Sequence, residues 1–169
     1  GEYEIATVSD DGLIHMWRED GSIVDGWPVD LGGKPVSTPI AVKSNRPESA
    51  SILVCTWIPR GGSVHLLSPE GNPRAGWPKI LSQSVVAGSY ERRPGWTADL
   101  DRDGTLEVIC LSTIPAFVHA WYQDGAVFPG YPISMGEKSC RGMAIDNTED
   151  PRYIAVAKKA EVILHDLKT

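Results

Sequence analysis

The chain has 169 residues, enough for a hydrophobic core, and its 17 glycines, 13 prolines and 6 tryptophans are typical of short strands joined by tight turns. A formal net charge of −6 argues against nucleic acid as the main partner. No apolar run approaches the roughly 18 residues of a membrane helix. We therefore expect an all-β protein with neither a nucleic-acid partner nor a membrane span.

Every histidine falls at the same place in a unit that repeats about every 50 residues. The four are His15, His65, His119 and His165. A turn glycine preceded by an acid follows each of the first three, and a second glycine then opens one of three related tripeptides: Gly26-Trp27-Pro28, Gly76-Trp77-Pro78 and Gly130-Tyr131-Pro132. Equivalent positions in successive units lie far apart, so we interpret the histidines as packing residues and not as ligands of one metal ion.

Each unit is predicted to contain four short strands, with the acid-glycine turn between the third and the fourth. The second strands are predicted at residues 4–9, 51–57, 107–113 and 153–158, and the first strands at 39–42, 95–99 and 142–145. Antiparallel units of four strands are the blades of a β-propeller. We place blades at residues 1–34, 35–84, 92–136 and 140–169, which makes about three and a half.

A propeller closes with about four to eight blades, so these blades cannot close by themselves. The first blade lacks its first strand and the last lacks its fourth. Unpaired strand edges invite association. We expect either the rest of a longer chain, giving about six to eight blades, or an oligomer to cover the open edges.

The most specific chemical motif is the acidic loop at residues 99–107, with carboxylates at its first, third, fifth and ninth positions: Asp99, Asp101, Asp103 and Glu107. Ca²⁺ takes about six to eight oxygen ligands, and alternating residues of a tight loop turn their side chains to one centre. Gly104 would supply the sharp turn and Thr105 a backbone carbonyl. The EF-hand pattern fails because Cys110 stands at the twelfth position. A polar hairpin is the alternative, but four close acids repel one another without a cation.

The acidic loop, the strand at residues 118–121 and the Gly130-Tyr131-Pro132 turn resemble the FG-GAP/VCBS repeats of bacterial secreted proteins and, more distantly, the integrin α-subunit propeller. The resemblance covers essentially the whole chain. It implies an extracellular, periplasmic or cell-surface calcium-binding propeller, although residues 1–8 lack the pattern of a signal peptide. The matching loop after Val42 has Lys43 and Arg46 in place of acids, and the one at residues 146–151 loses the glycine.

The resemblance also places the remaining loops on the face opposite the calcium loops, where they would contact a protein or carbohydrate ligand. The candidate residues on this face are Lys34, Trp57, Arg60, Tyr90, Arg92, Arg93, Lys138 and Arg141. Basic residues recur there in an acidic chain, which favours an anionic ligand. The alternative is that they are solvated surface charges of little consequence.

Signatures of catalysis are missing from the sequence, which has no nucleophile elbow, P-loop, HExxH or dinucleotide motif. We therefore expect a binding, adhesion or scaffold module and not an enzyme. Two alternatives stay open: an accessory propeller of a secreted polysaccharide- or peptide-degrading enzyme, and a quinoprotein-like (PQQ-type) propeller, which residues 12–21 resemble.

The three cysteines are Cys55, Cys110 and Cys140. The first two lie in apolar strand-like runs, where a buried thiol behaves as a small hydrophobic group. The sequence therefore favours reduced thiols without an internal disulfide, and it does not fix the cellular compartment.

Overall fold

The computed structural model of the protein describes residues 3–43, 50–82, 84–85, 95–113, 115–136, 140–146, 151–158 and 161–166. Within these ranges the chain forms 16 strands, arranged in four antiparallel sheets. The predicted all-β class is confirmed. None of the described residues belongs to a helix that is long and apolar enough to cross a membrane.

The four sheets follow one another along the chain. Sheet 1 consists of β1 (Glu4–Val8), β2 (Leu13–Arg18) and β3 (Val29–Asp30). Sheet 2 consists of β4 (Lys34–Pro35), β5 (Ile40–Val42), β6 (Ser51–Ile58), β7 (Gly61–Leu67) and β8 (Lys79–Leu81). Sheet 3 consists of β9 (Ser84–Val85), β10 (Gly95–Ala98), β11 (Glu107–Thr113), β12 (Ala116–Trp121) and β13 (Ile133–Gly136). Sheet 4 consists of β14 (Cys140–Ile145), β15 (Tyr153–Lys158) and β16 (Val162–Asp166).

The first strand of the predicted unit is split in sheets 2 and 3. Strands β4 and β5 both pair with β6, and β9 and β10 both pair with β11. In sheet 2 the break ends at Pro39, which has no backbone N–H for the ladder. The Ser37 hydroxyl accepts the Cys55 N–H at 2.8 Å, so a side chain takes the place of a backbone acceptor. The sequence predicted only the second half of each split strand.

The turn after the histidine strand has the same hydrogen bonds in sheets 1, 2 and 3. In sheet 3 the Tyr122 N–H bonds the Ala126 carbonyl at 2.9 Å, and the Gly125 N–H returns to the Tyr122 carbonyl at 2.9 Å. The matching bonds join Arg18 to Ser22 and Gly21 to Arg18 in sheet 1, and Ser68 to Asn72 and Gly71 to Ser68 in sheet 2. The three glycines have φ of +82°, +83° and +88°, a region that glycine enters without strain.

Hydrophobic side chains cover both faces of sheets 2 and 3. Along β6 alternate residues point to opposite faces. Ile52 and Val54 pack in a cluster with sheet 1, whereas Leu53 and Cys55 pack in a cluster with sheet 3. A third cluster joins sheet 3 to sheet 4. The core therefore consists of three layers, each between two successive sheets.

The two tryptophans of the Gly-Trp-Pro segments also join successive sheets. Trp27 Nε1 donates to the Pro69 carbonyl at 2.7 Å, and Trp77 Nε1 donates to the Gln123 carbonyl at 2.9 Å. Each indole is 7% exposed, so both hydrogen bonds lie at the edge of a hydrophobic layer. Each bond runs from one unit to the acid-glycine turn of the next.

Candidate metal centre

The acidic loop connects β10 to β11. Ala98 pairs with Glu107 in antiparallel register, so residues 99–106 form the connection between the two strands. Asp99 shapes this loop, because its Oδ1 accepts the Asp103 N–H at 3.1 Å and its Oδ2 accepts the Gly104 N–H at 2.9 Å. Gly104 has φ of +83°, and Arg102 adopts the left-handed conformation with φ of +65°. Arg102 is therefore sterically strained, because its Cβ atom crowds the backbone in this conformation.

Three carboxylates converge in this loop. Side-chain oxygens of Asp99, Asp101 and Glu107 lie within 4.8 Å of one another. Oxygens that bind one Ca²⁺ at about 2.3 to 2.6 Å are separated from each other by no more than about 5 Å. The spacing of the three oxygens thus fits ligands of a single hard cation.

Glu107 is the buried member of this group, with no exposed surface. Its Oε2 accepts the Leu100 N–H at 2.7 Å, whereas its Oε1 is buried without a hydrogen-bond partner. Burial raises the pKa of Glu107 to about 7, the Leu100 hydrogen bond opposes this rise, and the charges of Asp101, Asp103 and Asp99 add to it. A buried carboxylate oxygen without a partner is costly, and a bound cation would remove that cost.

Asp103, the fourth predicted carboxylate, lies outside the converging group. Asp103 is exposed, and its Oδ1 accepts the Thr105 N–H at 2.7 Å. This hydrogen bond closes the turn after Arg102, which is a common use of aspartate in turns. The participation of Asp103 and of the Thr105 carbonyl in metal binding stays a prediction.

Two residues of a distant turn support the loop, and sequence reasoning did not single them out. The Tyr122 side chain forms a hydrogen bond with Asp101. Desolvation, then the charge of Asp101 and this hydrogen bond, raise the pKa of Tyr122. Gln123 Nε2 donates to the Leu106 carbonyl at 3.0 Å, which fixes the exit of the loop. Only the fixed position of the acid-glycine turn in each unit could have indicated them.

Comparison of the chain with models of protein families, with curated proteins and with solved structures found no match. The likeness to FG-GAP/VCBS repeats therefore rests on the motifs of this sequence. The acidic loop is the part of the chain with the most definite chemistry.

The histidines form no metal site in the part of the chain that the structure describes, where the acidic group of the loop is the one cluster with metal-ligand spacing. His65 Nε2 lies 3.3 Å from Thr56 Oγ1, and His119 Nε2 lies 3.0 Å from Ser112 Oγ. Burial lowers the pKa of both His65 and His119 to about 4, so both rings are neutral at pH 7. His119 also stacks on Trp121 with ring centroids 5.3 Å apart. These contacts are those of packing residues.

The structure describes part of the predicted ligand face. Lys34 pairs across the strands with Trp57, whose side chain is 46% exposed, and Arg60 is exposed in the turn after β6. Lys34 also forms an ion pair of 3.7 Å with Asp10, so its charge is partly balanced. Tyr90, Arg92, Arg93 and Lys138 lie outside the described residues, as does the side chain of Arg141.

Proposed function

We propose that this chain is part of an extracellular calcium-binding β-propeller of the FG-GAP/VCBS type, which acts as a non-catalytic binding or scaffold module. The observation that carries the calcium proposal is Glu107. Its buried Oε1 has no hydrogen-bond partner and lies in a group of three carboxylate oxygens within 4.8 Å. A divalent cation would satisfy this oxygen and neutralise the repulsion among the three acids.

Calcium suits these ligands better than a transition metal. Carboxylate and carbonyl oxygens select hard cations, and no histidine or cysteine belongs to the described group. Calcium accepts irregular loops, whereas magnesium requires near-ideal octahedral geometry and keeps several waters. The remaining ligands would be Asp103, the Thr105 carbonyl or water.

The packing of the sheets supports the propeller proposal. Four sheets follow the chain order, and each faces the next across a hydrophobic layer. Radial repetition of antiparallel sheets is the arrangement that propellers use. The outer faces of sheets 1 and 4 carry apolar side chains that a further blade would cover, since Ile5 is 60% exposed and Leu164 is 63% exposed.

A structural role for calcium follows from the position of the loop. The ion would join the entry of β11 to the end of β10, and through Tyr122 it would be linked to the turn after β12. Three strands of sheet 3 would then be held at one end by one ion. The carboxylates would stay ionised and coordinated, so they would not serve as general acids or bases.

A calcium titration of the chain by calorimetry tests the proposal. We expect one ion per chain, with half-saturation at or below about 1 mM, the range of extracellular modules. Magnesium at the same concentration should compete weakly. Absence of calcium binding at several millimolar would contradict the metal assignment and leave an all-β scaffold without a defined ion.

The ligand face needs a separate test, because calcium binding says nothing about it. The test compares the parent with a double variant that carries Trp57→Ala and Arg60→Ala. The affinity of each protein is measured for acidic and for neutral polysaccharides. We expect the acidic polysaccharides to lose affinity for the variant. Ile80→Ala is the matched control, since Ile80 is 65% exposed and lies outside the candidate set.

A further inference from the structure

Two cysteines face each other across the layer between sheets 2 and 3. Cys55 lies on β6 and Cys110 on β11, and both are fully buried. Both belong to the same hydrophobic cluster, whereas their chain neighbours Val54 and Ile109 belong to the clusters on the opposite faces. Their side chains therefore point into the same layer from opposite sheets.

The two cysteines approach each other at Gly95, which is the direct cross-strand partner of Cys110. A Cβ atom built on Gly95 would lie 3.6 Å from Cys55 Sγ, an ordinary van der Waals distance, so the Cys55 sulfur reaches the strand position beside Cys110. Both cysteines are free thiols in this structure.

We infer that Cys55 and Cys110 form an intrachain disulfide that covalently joins sheet 2 to sheet 3 when the chain matures in oxidising surroundings. The oxidant is a disulfide of a small thiol or of a dithiol oxidase, written RSSR. One cysteine thiolate attacks RSSR and releases one RS⁻; the second thiolate attacks the mixed disulfide and releases the other RS⁻. The two protons pass to the released thiolates, so the products are the protein disulfide and two RSH.

The burial of both thiols determines when the reaction occurs. Burial, and then the neighbouring Cys55 thiol, raise the pKa of the Cys110 thiol, so the closed layer disfavours the attacking thiolate. The exchange must take place before the layer closes or when the two sheets separate. Once formed, the disulfide is shielded from reductant by the same packing.

Cys140 is the internal control for this inference. It is also buried, but it belongs to the cluster between sheets 3 and 4, on strand β14. The disulfide inference does not depend on calcium or on a propeller. It requires only that the two cysteines approach each other across the layer between sheets 2 and 3.

The test is refolding of the full chain in a glutathione redox buffer, followed by alkylation of the remaining thiols and mass spectrometry. We expect one alkyl group per chain instead of the three of the reduced protein. Before alkylation the mass should be about 2 Da below that of the reduced protein, for the two hydrogens removed on disulfide formation. Trypsin should yield residues 44–60 joined to residues 103–138, with Cys140 alkylated in a separate peptide. The oxidised parent should melt roughly 5 to 15 °C above the same chain refolded and melted in reductant, in which the disulfide never forms.

Variants make the test specific. Cys140→Ala should keep the linked peptides and the response to reductant, and Cys110→Ala should lose both. If Cys110→Ala does not fold, the peptide map of the parent still decides the matter. Recovery of three alkylated cysteines after refolding, or a link that involves Cys140, would overturn the inference.

Discussion

Gly76 touches the turn of the following sheet, since a Cβ atom built on it would lie 2.4 Å from the carbonyl oxygen of Asp124. Gly26 has the same relationship to Glu70, at 2.3 Å. Two successive sheets thus approach each other by backbone contact at equivalent points. The glycine that opens each Gly-Trp-Pro segment is required by this approach as well as by its own conformation.

Replacing Gly76 with alanine should destabilise the protein more than replacing Gly130. Both residues have positive φ, +77° and +83°, so both variants carry the strain of a left-handed alanine, about 1 kcal/mol. Among the described residues, only Gly76→Ala also collides with a backbone carbonyl, because no described atom lies within 4 Å of a Cβ built on Gly130. We expect Gly76→Ala to cost about 1 to 3 kcal/mol more in urea unfolding. Equal losses would mean that the two sheets do not approach as described.

Trp77→Phe should lower the free energy of unfolding by about 1 to 3 kcal/mol, since it leaves the Gln123 carbonyl without its indole donor and shrinks a buried ring. Trp27→Phe should behave alike because its indole bonds the Pro69 carbonyl. Trp57→Phe is the control and should stay within about 0.5 kcal/mol, as expected for an exposed site. Similar losses at all three positions in chemical unfolding would argue against a special role for the two buried indoles.

His65 and His119 should make the protein sensitive to acid. Burial lowers the pKa of each to about 4 from an ordinary 6.5. The unfolded chain therefore binds protons first, and stability that is complete above pH 6.5 is lost as the pH falls toward 4. At pH 5 each histidine should cost about 2 kcal/mol relative to pH 7.

The His65→Gln and His119→Gln variants isolate this effect. The other titrating groups contribute equally to the pH dependence of unfolding in the parent and in each variant, so their contributions cancel when the two are compared. Unfolding in urea at pH 7 and pH 5 should show a smaller loss for each variant than for the parent. His165→Gln, on the outer strand β16, serves as the control. An unchanged pH dependence in the first two variants would count against buried neutral rings.

Tyr122→Phe should weaken calcium binding without unfolding the protein, because it removes the hydroxyl that bonds Asp101 but no proposed ligand. Residues that position metal ligands typically change affinity by about tenfold or more. Tyr131→Phe is the matched control, since the Tyr131 hydroxyl is buried without a hydrogen-bond partner. Calorimetric titration of both variants should show reduced affinity for the first alone; parent-like affinity for Tyr122→Phe would exclude a positioning role.

The sequence predicted the all-β class and most strand positions because periodic motifs repeat in each unit. The turns were also predicted from the sequence, because an acid followed by glycine forms hydrogen bonds within the turn itself. Asp124 accepts the Ala126 N–H, and the Gly125 N–H donates to the Tyr122 carbonyl. The split first strands were not predicted, because the replacement of a backbone acceptor by Ser37 depends on a partner 18 residues away. Tyr122 and the pair of thiols were missed for the same reason: contacts between segments distant in sequence leave no local pattern.

The acidic loop shows both what residue spacing predicts and what it leaves open. Spacing alone proposed five ligands, but it could not say that Glu107 would be buried and that Asp103 would stay exposed beside Thr105. Burial arises from the packing of β11 within sheet 3, which the loop sequence does not contain. The structure thus brings together three of the four predicted carboxylates, namely Asp99, Asp101 and Glu107.

The central claim is that calcium satisfies Glu107 in the loop between β10 and β11, and thermal unfolding of the parent and of Glu107→Gln tests it most directly. Each protein is melted in 10 mM calcium and in chelator, with Asp25→Asn as a control that removes a charge from a fully exposed site. We predict that calcium raises the melting temperature of the parent and of the control by roughly 5 to 10 °C, and that of Glu107→Gln by less than half as much. Equal shifts in all three proteins, or no shift in the parent, would contradict the account.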